Sequence, residues 1–537
     1  MSTPEVRWVA TAAEIRAAEA EPLAREGEAA LMDRAAAAVA DAAAGLLAER
    51  NIDAAGTRAV LLVGTGNNGG DALLAGALLA AAGATVTALQ VGDTAHPRGL
   101  AALREAGGAV ISRVAATGVG ASSAAALLAD ANLVIDGIVG LGATAGLREP
   151  AASLVAAIPA SVTVLAVDLP SGLDADSGLA DSGATGSVRS RSADLGSVDS
   201  GSPAHVTAHA TVSFTAPTAC VLLPPAALAA GRVTFADVGV PIPPRKPGAP
   251  ARLTDAGIAA RWPVPEAGDN KYSRGVVGIV AGSEAYPGAA ILACTAAIRS
   301  GAGLVRFVGP RRAQDLVLAA RPEVVAADPS LPLPRVDAWV LGPGVADDPD
   351  QEAAILAAVA SGVPCVVDAG GIMPVVLARA LEGPGASGLL LTPHAGELAR
   401  ALAGIGSTIS ADEIARDPAA AARTLAEATR ATVLLKGAVT LVASPSGTLW
   451  SQADGPAWLA TAGAGDVLAG IAGALLAAGL PADEAGAVAA SVHGRAARLV
   501  SGGGPIAALD IASALAAIVA SLGSSIGDLL REGGRAT

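Results

Sequence analysis

The segment with the strongest chemical signal reads TAGAGDVLAGIAGALLAAG and spans residues 461–479. A loop of small residues passes directly into an apolar helix at Gly465 and Asp466. Free N–H groups and the dipole at a helix N-terminus attract anions, and a phosphoryl group in transfer needs such donors. A carboxylate there can take the proton of an attacking hydroxyl. The pattern therefore predicts a phosphoryl-transfer site with Asp466 as base; the alternative is an aspartate that only caps a glycine-rich turn.

Further motifs in the C-terminal half place polar or glycine residues just after expected strands. NKYSRGVVGIVAGSEAYPG begins at residue 270, LGPGV at 341, LLTPHAGELARAL at 390 and LLKGAVTLVA at 434. A single histidine is usually structural, but His394 follows TP and opens HAGE at a strand end, which favours contact with a ligand. The candidate positions after these strands are Ser283, Gly342, Gly344, Asp368, His394 and Lys436.

The N-terminal half carries GTGNNGGD at residues 64–71, between an expected strand and helix. It contains GxGxxG, so a dinucleotide-binding loop is one interpretation. Two adjacent asparagines are unusual in such a loop, because a phosphate cradle needs backbone N–H groups rather than carboxamides. Asn67 and Asn68 would suit a cation or a ligand amide, while turn asparagines with left-handed backbone are the structural alternative.

Two aspartates end other expected strands of this half. Asp136 lies in IDGIVGLGATAG and Asp168 in VDLPSGLDADSG. The glycines after Asp136 again suggest a backbone that approaches phosphate, although Asp136 alone would also fit a helix cap. Asp168, Ser171 and Asn68 supply hard oxygen ligands and one candidate acid–base group.

Elements that position these residues are short β-branched or leucine-rich runs alternating with alanine-rich stretches, which indicates parallel sheets covered by helices. Ligands bind outside the carboxyl ends of such strands, so we expect one site per half. A proline-rich joint spans residues 241–252, and residues 175–203 are expected to form a mobile surface insertion. The predicted strands are 59–63, 85–89, 133–135 and 162–167 in the first half, and they include 276–281, 304–308, 337–341, 364–367, 388–391 and 432–435 in the second.

Composition excludes several classes of protein. The net charge of −14 over 537 residues argues against a general nucleic-acid binder, and 2% aromatic residues leave few rings for base stacking. We find no apolar run of membrane-spanning length and no secretory signal, so we expect a cytoplasmic protein without a membrane partner. Cys220, Cys294 and Cys365 lie far apart and are interpreted as buried thiols in a reducing compartment.

The motifs of the first half resemble those of the NAD(P)H-hydrate epimerase family, over roughly residues 10–240. The resemblance implies interconversion of the R and S forms of hydrated NADH and NADPH, with Asp168 as the catalytic residue. It also implies K⁺ held by Asn68, Asp136 and Ser171. The family usually has a lysine where Thr218 stands and GGDG where this chain has GGDA. The implied substrate contacts are Asn67, Asn68, Gly69, Gly70, Asp71, Gly140, Leu141, Gly142, Ala143, Thr144, Ala145 and Gly146.

The second half resembles the ADP/ATP-dependent NAD(P)H-hydrate dehydratase family, of ribokinase-like fold, over about residues 252–520. The resemblance implies that ADP or ATP phosphorylates the hydroxyl of the hydrated ring and that phosphate is then lost. Mg²⁺ is expected because phosphoryl transfer needs its charge neutralised; its ligands are not placed, and Glu397 is only a guess. Asp368 is given no role, because VVDAGGIM departs from the family's usual run. The implied hydrate contacts are Ala289, Gly344, His394 and Asp466, and the implied nucleotide contacts are Lys436, Gly437, Ala438, Val439, Thr440 and Gly465.

The sequence thus predicts a bifunctional α/β enzyme that repairs hydrated NADH and NADPH. We expect an N-terminal Rossmann-like three-layer domain at residues 1–240, a linker at 241–251 and a ribokinase-like domain at 252–537. One alternative is a ribokinase-type small-molecule kinase with a non-catalytic nucleotide-binding N-terminal module. The other is a dehydrogenase, for which we recognise no hydride chemistry in the second half. The sequence leaves open a homo-oligomer and the choice between ADP and ATP.

Overall fold

The fold comes from a computed structural model that describes residues 4–112, 114, 119–142, 145–179, 203–346, 348–382 and 388–533. Contacts divide the chain into two compact units, Trp8–Lys246 and Pro247–Thr537, the second of which also includes Met1–Arg7. The expected division at 1–240 and 252–537 did not foresee that the N-terminal residues group with the second unit. Most of the expected insertion, residues 180–202, lies outside the described residues.

Strands follow the β-branched and leucine-rich runs of the sequence, and each predicted strand is present to within two residues at either end. In chain order they are β1 (Val6–Trp8), β2 (Arg58–Val63), β3 (Thr85–Gln90), β4 (Ala109–Ile111), β5 (Leu133–Gly137), β6 (Thr163–Val167), β7 (Ala210–Phe214), β8 (Arg232–Ala236), β9 (Ala251–Leu253), β10 (Val276–Val280), β11 (Leu304–Val308), β12 (Val325–Ala327), β13 (Ala338–Leu341), β14 (Cys365–Val367), β15 (Leu389–Leu391), β16 (Thr432–Leu435), β17 (Thr440–Ala443) and β18 (Leu449–Gln452).

Helices occupy most of the alanine-rich stretches between the strands, as expected from the high helix propensity of alanine. They are α1 (Ala12–Glu26), α2 (Glu28–Ala48), α3 (Asn67–Ala81), α4 (Pro97–Glu105), α5 (Val119–Asp130), α6 (Ala151–Ala156), α7 (Ala219–Leu222), α8 (Ala227–Ala230), α9 (Asp255–Arg261), α10 (Pro287–Arg299), α11 (Arg311–Ala320), α12 (Pro349–Ala360), α13 (Ile372–Glu382), α14 (Ala395–Gly404), α15 (Ala411–Arg416), α16 (Pro418–Thr429), α17 (Ala464–Ala477), α18 (Ala482–Ser501) and α19 (Ala508–Gly533). None in the described part of the chain is long and apolar enough to cross a bilayer.

The unit Trp8–Lys246 is built on a parallel seven-stranded sheet in the order β4-β3-β2-β5-β6-β7-β8. Successive residues of β2 pack into separate cores: Leu61 and Val63 on one face, Val60 and Leu62 on the other. Residues of α2 and α3 fill the first core, and residues of α5 and α6 pack against the second. The near-continuous apolar strand is the pattern of a sheet covered on both faces, which confirms the three-layer expectation.

The second unit contains an eleven-stranded sheet in the order β1-β9-β18-β17-β16-β15-β14-β13-β10-β11-β12. Its seven strands from β16 to β12 are parallel, and β17 and β18 add an antiparallel extension. Numbered along the chain within each unit, both parallel sheets have the strand order 3-2-1-4-5-6-7. In each sheet the strand order therefore reverses between the first and fourth strands. Ligands of open α/β sheets bind at this point.

Strand β1 is an edge of the second sheet and lies beside β9. The Thr254 hydroxyl donates to the carbonyl oxygen of Pro4 (2.7 Å), and the Thr254 amide donates to the carbonyl of Glu5 (3.0 Å). A Cβ added at Gly257 would lie 1.9 Å from that Glu5 carbonyl oxygen. Helix α9 can therefore lie against the N-terminal strand only because residue 257 has no side chain.

Candidate active sites

The first site lies where the sheet of the unit Trp8–Lys246 reverses, between β2 and β5. The loop after β2 opens α3 at Asn67, and the loop after β5 runs through residues 138–142. Together they border a cavity of about 370 Å³. The predicted residues that line this cavity are Asn67, Asn68, Asp71, Gly140, Leu141, Gly142 and Asp168.

Glycines in these loops are required by contacts between backbones. A Cβ at Gly64 would lie 1.8 Å from the carbonyl oxygen of Ile138, and one at Gly69 would lie 2.3 Å from that of Gly64. A Cβ at Gly140 would meet the Asn68 carboxamide at 2.3 Å. Packing therefore requires the first and last glycines of GxGxxG independently of any phosphate, whereas a Cβ at the middle glycine, Gly66, would meet no atom within 4 Å.

Asp168 follows β6 in a left-handed backbone conformation, with φ of +69°. Non-glycine residues held in this region cost about 1–3 kcal/mol and cluster at functional sites. Its carboxylate accepts a hydrogen bond from the amide of Leu141 (3.2 Å). Burial raises the pKa of Asp168 to about 7, and the nearby Glu19 carboxylate adds to the increase, while the bond from Leu141 opposes it. Asp168 can thus gain and lose a proton near neutral pH.

Asp136 and Ser171 form a buried hydrogen-bonded pair behind the cavity. The backbone amide and hydroxyl of Ser171 donate to the two carboxylate oxygens of Asp136 at 2.8 and 2.7 Å. Burial raises the pKa of Asp136 to about 6, although these hydrogen bonds oppose the increase. The Asn68 amide donates to the carbonyl of Val167 (2.9 Å), which leaves its side-chain oxygen as an acceptor. Asn68, Asp136 and Ser171 thus contribute oxygen atoms to one edge of the sheet.

Other predicted residues of this half lie beside the cavity rather than on it. Gly70 packs against Met32 and His96, and Gly146 donates its amide to the carbonyl of Gly172. Ala143 and Thr144 lie outside the described residues, and Ala145 makes no contact that assigns it a role. Thr218 is buried, with its hydroxyl 3.3 Å from the sulfur of Cys220.

Sequence reasoning missed charged residues that α1 and α2 bring to the same cavity. Arg16, Glu19 and Glu28 line it together with Asp71 and Asp168. Arg16 donates to the carbonyl of Leu141 (2.6 Å). These helices carry no motif that the sequence analysis recognised, and only the capping box of Thr11 and Glu14 marks where α1 begins.

The second site lies where the other sheet reverses, between β10 and β13. Helices α10 and α17 pack closely, because a Cβ at Gly470 would lie 2.4 Å from the carbonyl oxygen of Ala293. A Cβ at Gly275, directly before β10, would lie 2.5 Å from the carbonyl oxygen of Ala477 at the end of α17. The C-terminus of α17 therefore lies at the start of β10, and its N-terminus lies, like that of α10, at the carboxyl edge of the sheet. Ala289, in the first turn of α10, lies against Gly344, where an added Cβ would be 2.5 Å from that of Ala289.

Asp368 is the functional group that the sequence analysis set aside. It is buried directly after β14, and one carboxylate oxygen accepts from the Thr392 hydroxyl (2.8 Å) and the Lys436 ammonium (2.7 Å). Burial lowers the pKa of Lys436, but the carboxylates of Asp368 and Glu397 outweigh this and raise it. Lys436 is therefore a fixed positive charge. Gly465 lies next to this pair, because a Cβ there would be 3.3 Å from the ammonium.

Asp466 lies in the first turn of α17, beside the Asp368–Lys436 pair. Burial raises its pKa to about 7; the Asp368 carboxylate raises it further and the Lys436 ammonium opposes the increase. The alternative of a simple cap is not what the backbone shows, since Gly463 is the N-cap and no side chain caps the helix. The helix N–H groups stay available to an anion, and Asp466 can act as a base near neutral pH.

His394 has a structural role in addition to the contact expected from the sequence. It is the N-cap of α14, and its Nδ1 accepts from the amide of Gly396 (3.0 Å), while Glu397 accepts from the amide of His394 (2.8 Å). An isolated bridge pairs His394 with Lys436, so it stands beside the site. Gly437, Ala438 and Val439 form the turn between β16 and β17, and Thr440 begins β17.

Comparison with known proteins matches a different family model to each half of the chain. The family model described as NAD(P)H-hydrate dehydratase matches residues 277–515, and the one described as YjeF-related protein N-terminus matches residues 28–220. A bifunctional NAD(P)H-hydrate repair enzyme of Mycobacterium leprae is 40% identical over 497 residues, covering 92% of this chain and 94% of the relative. An ADP-dependent (S)-NAD(P)H-hydrate dehydratase of Neisseria meningitidis is 36% identical over 251 residues, covering 44% and 81%.

A solved structure also resembles part of the chain. It is the ADP/ATP-dependent NAD(P)H-hydrate dehydratase of Bacillus subtilis co-crystallised with ATP and Mg²⁺. It is 26% identical and covers 50% of this chain and 97% of its own, with a TM-score of 0.46.

The fold and the comparisons define an α/β enzyme of two compact units, with a carboxyl of raised pKa in each crevice. The chain belongs to the family of bifunctional NAD(P)H-hydrate repair enzymes. The predicted family, enzyme class and α/β fold class are thereby confirmed.

Proposed function

We propose that this chain interconverts the R and S hydrates of NADH and NADPH in the unit Trp8–Lys246. The other unit then dehydrates the S hydrate with ADP or ATP. Water adds to the reduced nicotinamide at a carbon beside the ring nitrogen, because the nitrogen lone pair stabilises a cation there. The hydroxyl-bearing carbon is the centre at which R and S differ. Both reactions therefore act on one carbon–oxygen bond.

The dehydration rests on one observation, the placement of Asp466 at the N-terminus of α17 beside the Asp368–Lys436 pair. Asp466 takes the proton of the ring hydroxyl as the hydroxyl oxygen attacks the terminal phosphorus. The bond from that phosphorus to the bridging oxygen breaks, and ADP leaves from ATP or AMP from ADP. The amides of Gly465 and its neighbours stabilise the phosphoryl group in transfer. The phosphate then leaves with the carbon–oxygen electron pair, the ring nitrogen supplies electrons, and loss of a proton from the adjacent carbon restores NAD(P)H.

Contacts with the two ligands follow the predicted sets. Ala289, Gly344 and His394 border the hydrate, and Lys436 to Thr440 with Gly465 border the nucleotide. The Lys436 ammonium, held by Asp368 at 2.7 Å, neutralises phosphate charge.

Mg²⁺ is proposed to enter with the nucleotide and to neutralise phosphate charge when bound. No group of three acidic, histidine or cysteine side chains in the described part of the chain would hold a metal by itself. This suits Mg²⁺, which is commonly bound through one or two carboxylates and substrate phosphates. The second oxygen of Asp368 and the carboxylate of Glu397 are the donors available.

The epimerisation is assigned to the cavity at Asp168. Asn67, Asn68, Asp71 and the loop Gly140–Gly142, continuing to Gly146, are proposed to contact the hydrate. K⁺ is proposed to bind Asn68, Asp136 and Ser171, whose oxygen donors suit a hard monovalent cation. When bound, it would supply positive charge that favours the ionised carboxylates.

The test follows the return of NADH absorbance when purified protein is mixed with the separated hydrates and ADP or ATP. The full chain should consume both epimers. Asp466→Asn should still bind nucleotide but lose about 10²–10⁴-fold in NADH regeneration, as removal of a general base typically does. Regeneration within about threefold of wild type would refute the role of Asp466.

A further inference from the structure

Helix α1 brings to the first cavity a carboxyl group that neither proposed reaction yet uses. Glu19 is half-buried, lines the cavity and projects from a different element than Asp168, which follows β6. Among the described residues it has no hydrogen bond or ion pair. Burial raises the pKa of Glu19, and the nearby Arg16 opposes the increase.

A second observation that points to a polar ligand is an unpaired carboxylate oxygen of Asp71 in the same cavity. Asp71 is 6% exposed and lines the same cavity, yet one of its carboxylate oxygens has no hydrogen-bond partner in the described structure. Burial raises the pKa of Asp71 well above its ordinary value, and the charges of Asp168 and Glu19 add to this. The unpaired oxygen of Asp71 is therefore open to a polar group of a ligand. An unpaired buried polar atom of this kind is destabilising unless a ligand satisfies it.

The chemistry of epimerisation calls for two proton-transfer groups. In the first step an acid protonates the departing hydroxyl, the carbon–oxygen bond breaks with its electron pair on oxygen, and the ring nitrogen forms a C=N bond. In the second step water adds to the opposite face, the C=N electrons return to nitrogen, and a base takes the proton of the water. One water leaves, one enters, and one proton passes from the acid to the base.

We propose that Glu19 is the second acid–base group of this reaction and faces Asp168 across the reacting carbon. For one direction Asp168 donates the proton and Glu19 accepts it; for the reverse direction the roles exchange. Such an exchange requires two carboxyls that hold one proton between them. Conversion in one direction leaves the proton on Glu19, and this is the state from which conversion in the other direction begins. This inference rests on the proposed epimerase function.

Arg16 supports the arrangement as a positioning residue. It lies one turn before Glu19 on α1 and donates to the carbonyl of Leu141, whose amide donates to Asp168 at 3.2 Å. One hydrogen-bond network thus connects α1 with residues 141 and 168.

The experiment uses the full chain without nucleotide, so that dehydration does not occur, and hydrates in water enriched in ¹⁸O. Wild type should invert each epimer with uptake of solvent oxygen. Glu19→Gln should lose inversion by about 10²–10⁴-fold. It should nevertheless still exchange oxygen in one of the two epimers, because Asp168 can release and re-add water on its own face. Glu19→Asp should recover at least about tenfold of the lost inversion.

The matched control is Glu21→Gln, on the same helix, where the side chain is 69% exposed and pairs with Arg25. It should behave as wild type. Inversion by Glu19→Gln within about threefold of wild type would overturn the proposal. So would equal loss of exchange in both epimers, since that is the signature of a merely structural role. Absence of inversion in wild type would instead refute the epimerase function itself.

Discussion

At the scale of single residues, each site contains a carboxyl whose pKa is raised to about 7 by burial, which is complete for Asp168 and partial for Asp466. Their surroundings differ. Asp466 lies near a fixed positive charge, Lys436, which itself depends on Asp368. Asp168 has the amide of Leu141 and no such cation among its described partners. The Lys436 ammonium therefore opposes, but does not outweigh, the increase that burial and Asp368 cause in the pKa of Asp466.

The pH dependence of dehydration follows from this arrangement. A base must be ionised to act, so kcat/KM for the S hydrate should fall as the pH drops through about 7, the pKa of Asp466. Asp368→Asn removes a negative charge that raises this pKa, so the acid limb should move to lower pH whatever the absolute rate. The measurement is NADH regeneration between pH 5 and 9 in both proteins. A limb that stays in place, or moves to higher pH, would contradict the coupling of Asp368 to Asp466.

At the scale of elements, the N-terminal strand is part of the C-terminal unit. The carbonyl of Glu5 accepts a hydrogen bond from the amide of Thr254. Because Gly257 has no side chain, the same Glu5 carbonyl can lie against it. A fragment that begins near residue 250 would therefore lack β1 and expose the edge of β9. The proline-rich joint alone does not indicate that the N-terminal residues belong to the C-terminal unit.

Gly257→Ala should lower the Tm of the full chain, because the added Cβ overlaps backbone and overpacking costs about 1–3 kcal/mol. Deletion of the residues before Trp8 removes the clash. In that background the same change should be neutral, or stabilising by about 0.5–1 kcal/mol, since alanine is preferred to glycine in a helix. Gly268→Ala, with no atom within 4 Å of the added Cβ, is the control. Equal destabilisation by Gly257→Ala in both backgrounds would show that the strand is not the cause.

At the scale of the whole molecule, two sheets with the same strand order carry two different chemistries. In each, the crevice lies outside the carboxyl ends of the adjacent first and fourth strands, where the strand order reverses, but the residues after those strands differ. The fold thus supplies the place and the loops supply the reaction. The two activities should be separable by substitutions far apart in sequence.

Separate inactivation tests this directly. Asp168→Ala should leave dehydration of the S hydrate intact and reduce R-hydrate consumption to the spontaneous epimerisation rate. Asp466→Asn should invert the hydrates without making NADH. Because the S hydrate is a free product of the first reaction, a mixture of the two variants should again convert the R hydrate completely. Failure of the mixture, with each variant showing its own partial activity, would mean that the hydrate does not pass through solution.

The sequence by itself determined what local patterns encode. β-branched runs located the strands within two residues, and small-residue loops before apolar helices identified Asp466. The strand-end aspartates identified Asp168 and Asp136. The strand predictions succeeded because a strand, a glycine turn and a helix start each depend on neighbouring residues, while the roles of the three aspartates stay predictions.

Tertiary structure alone decided which distant groups meet. Asp368 and Lys436 are 68 residues apart and form one ion pair. Glu19 shares a cavity with Asp168, and Glu5 packs on Gly257. Local sequence carries no signal for such contacts, because they arise when the order of strands in a sheet brings remote loops and helices to one edge. The raised pKa values of the carboxyls have the same origin, since the burial that chiefly raises them exists only in the folded chain.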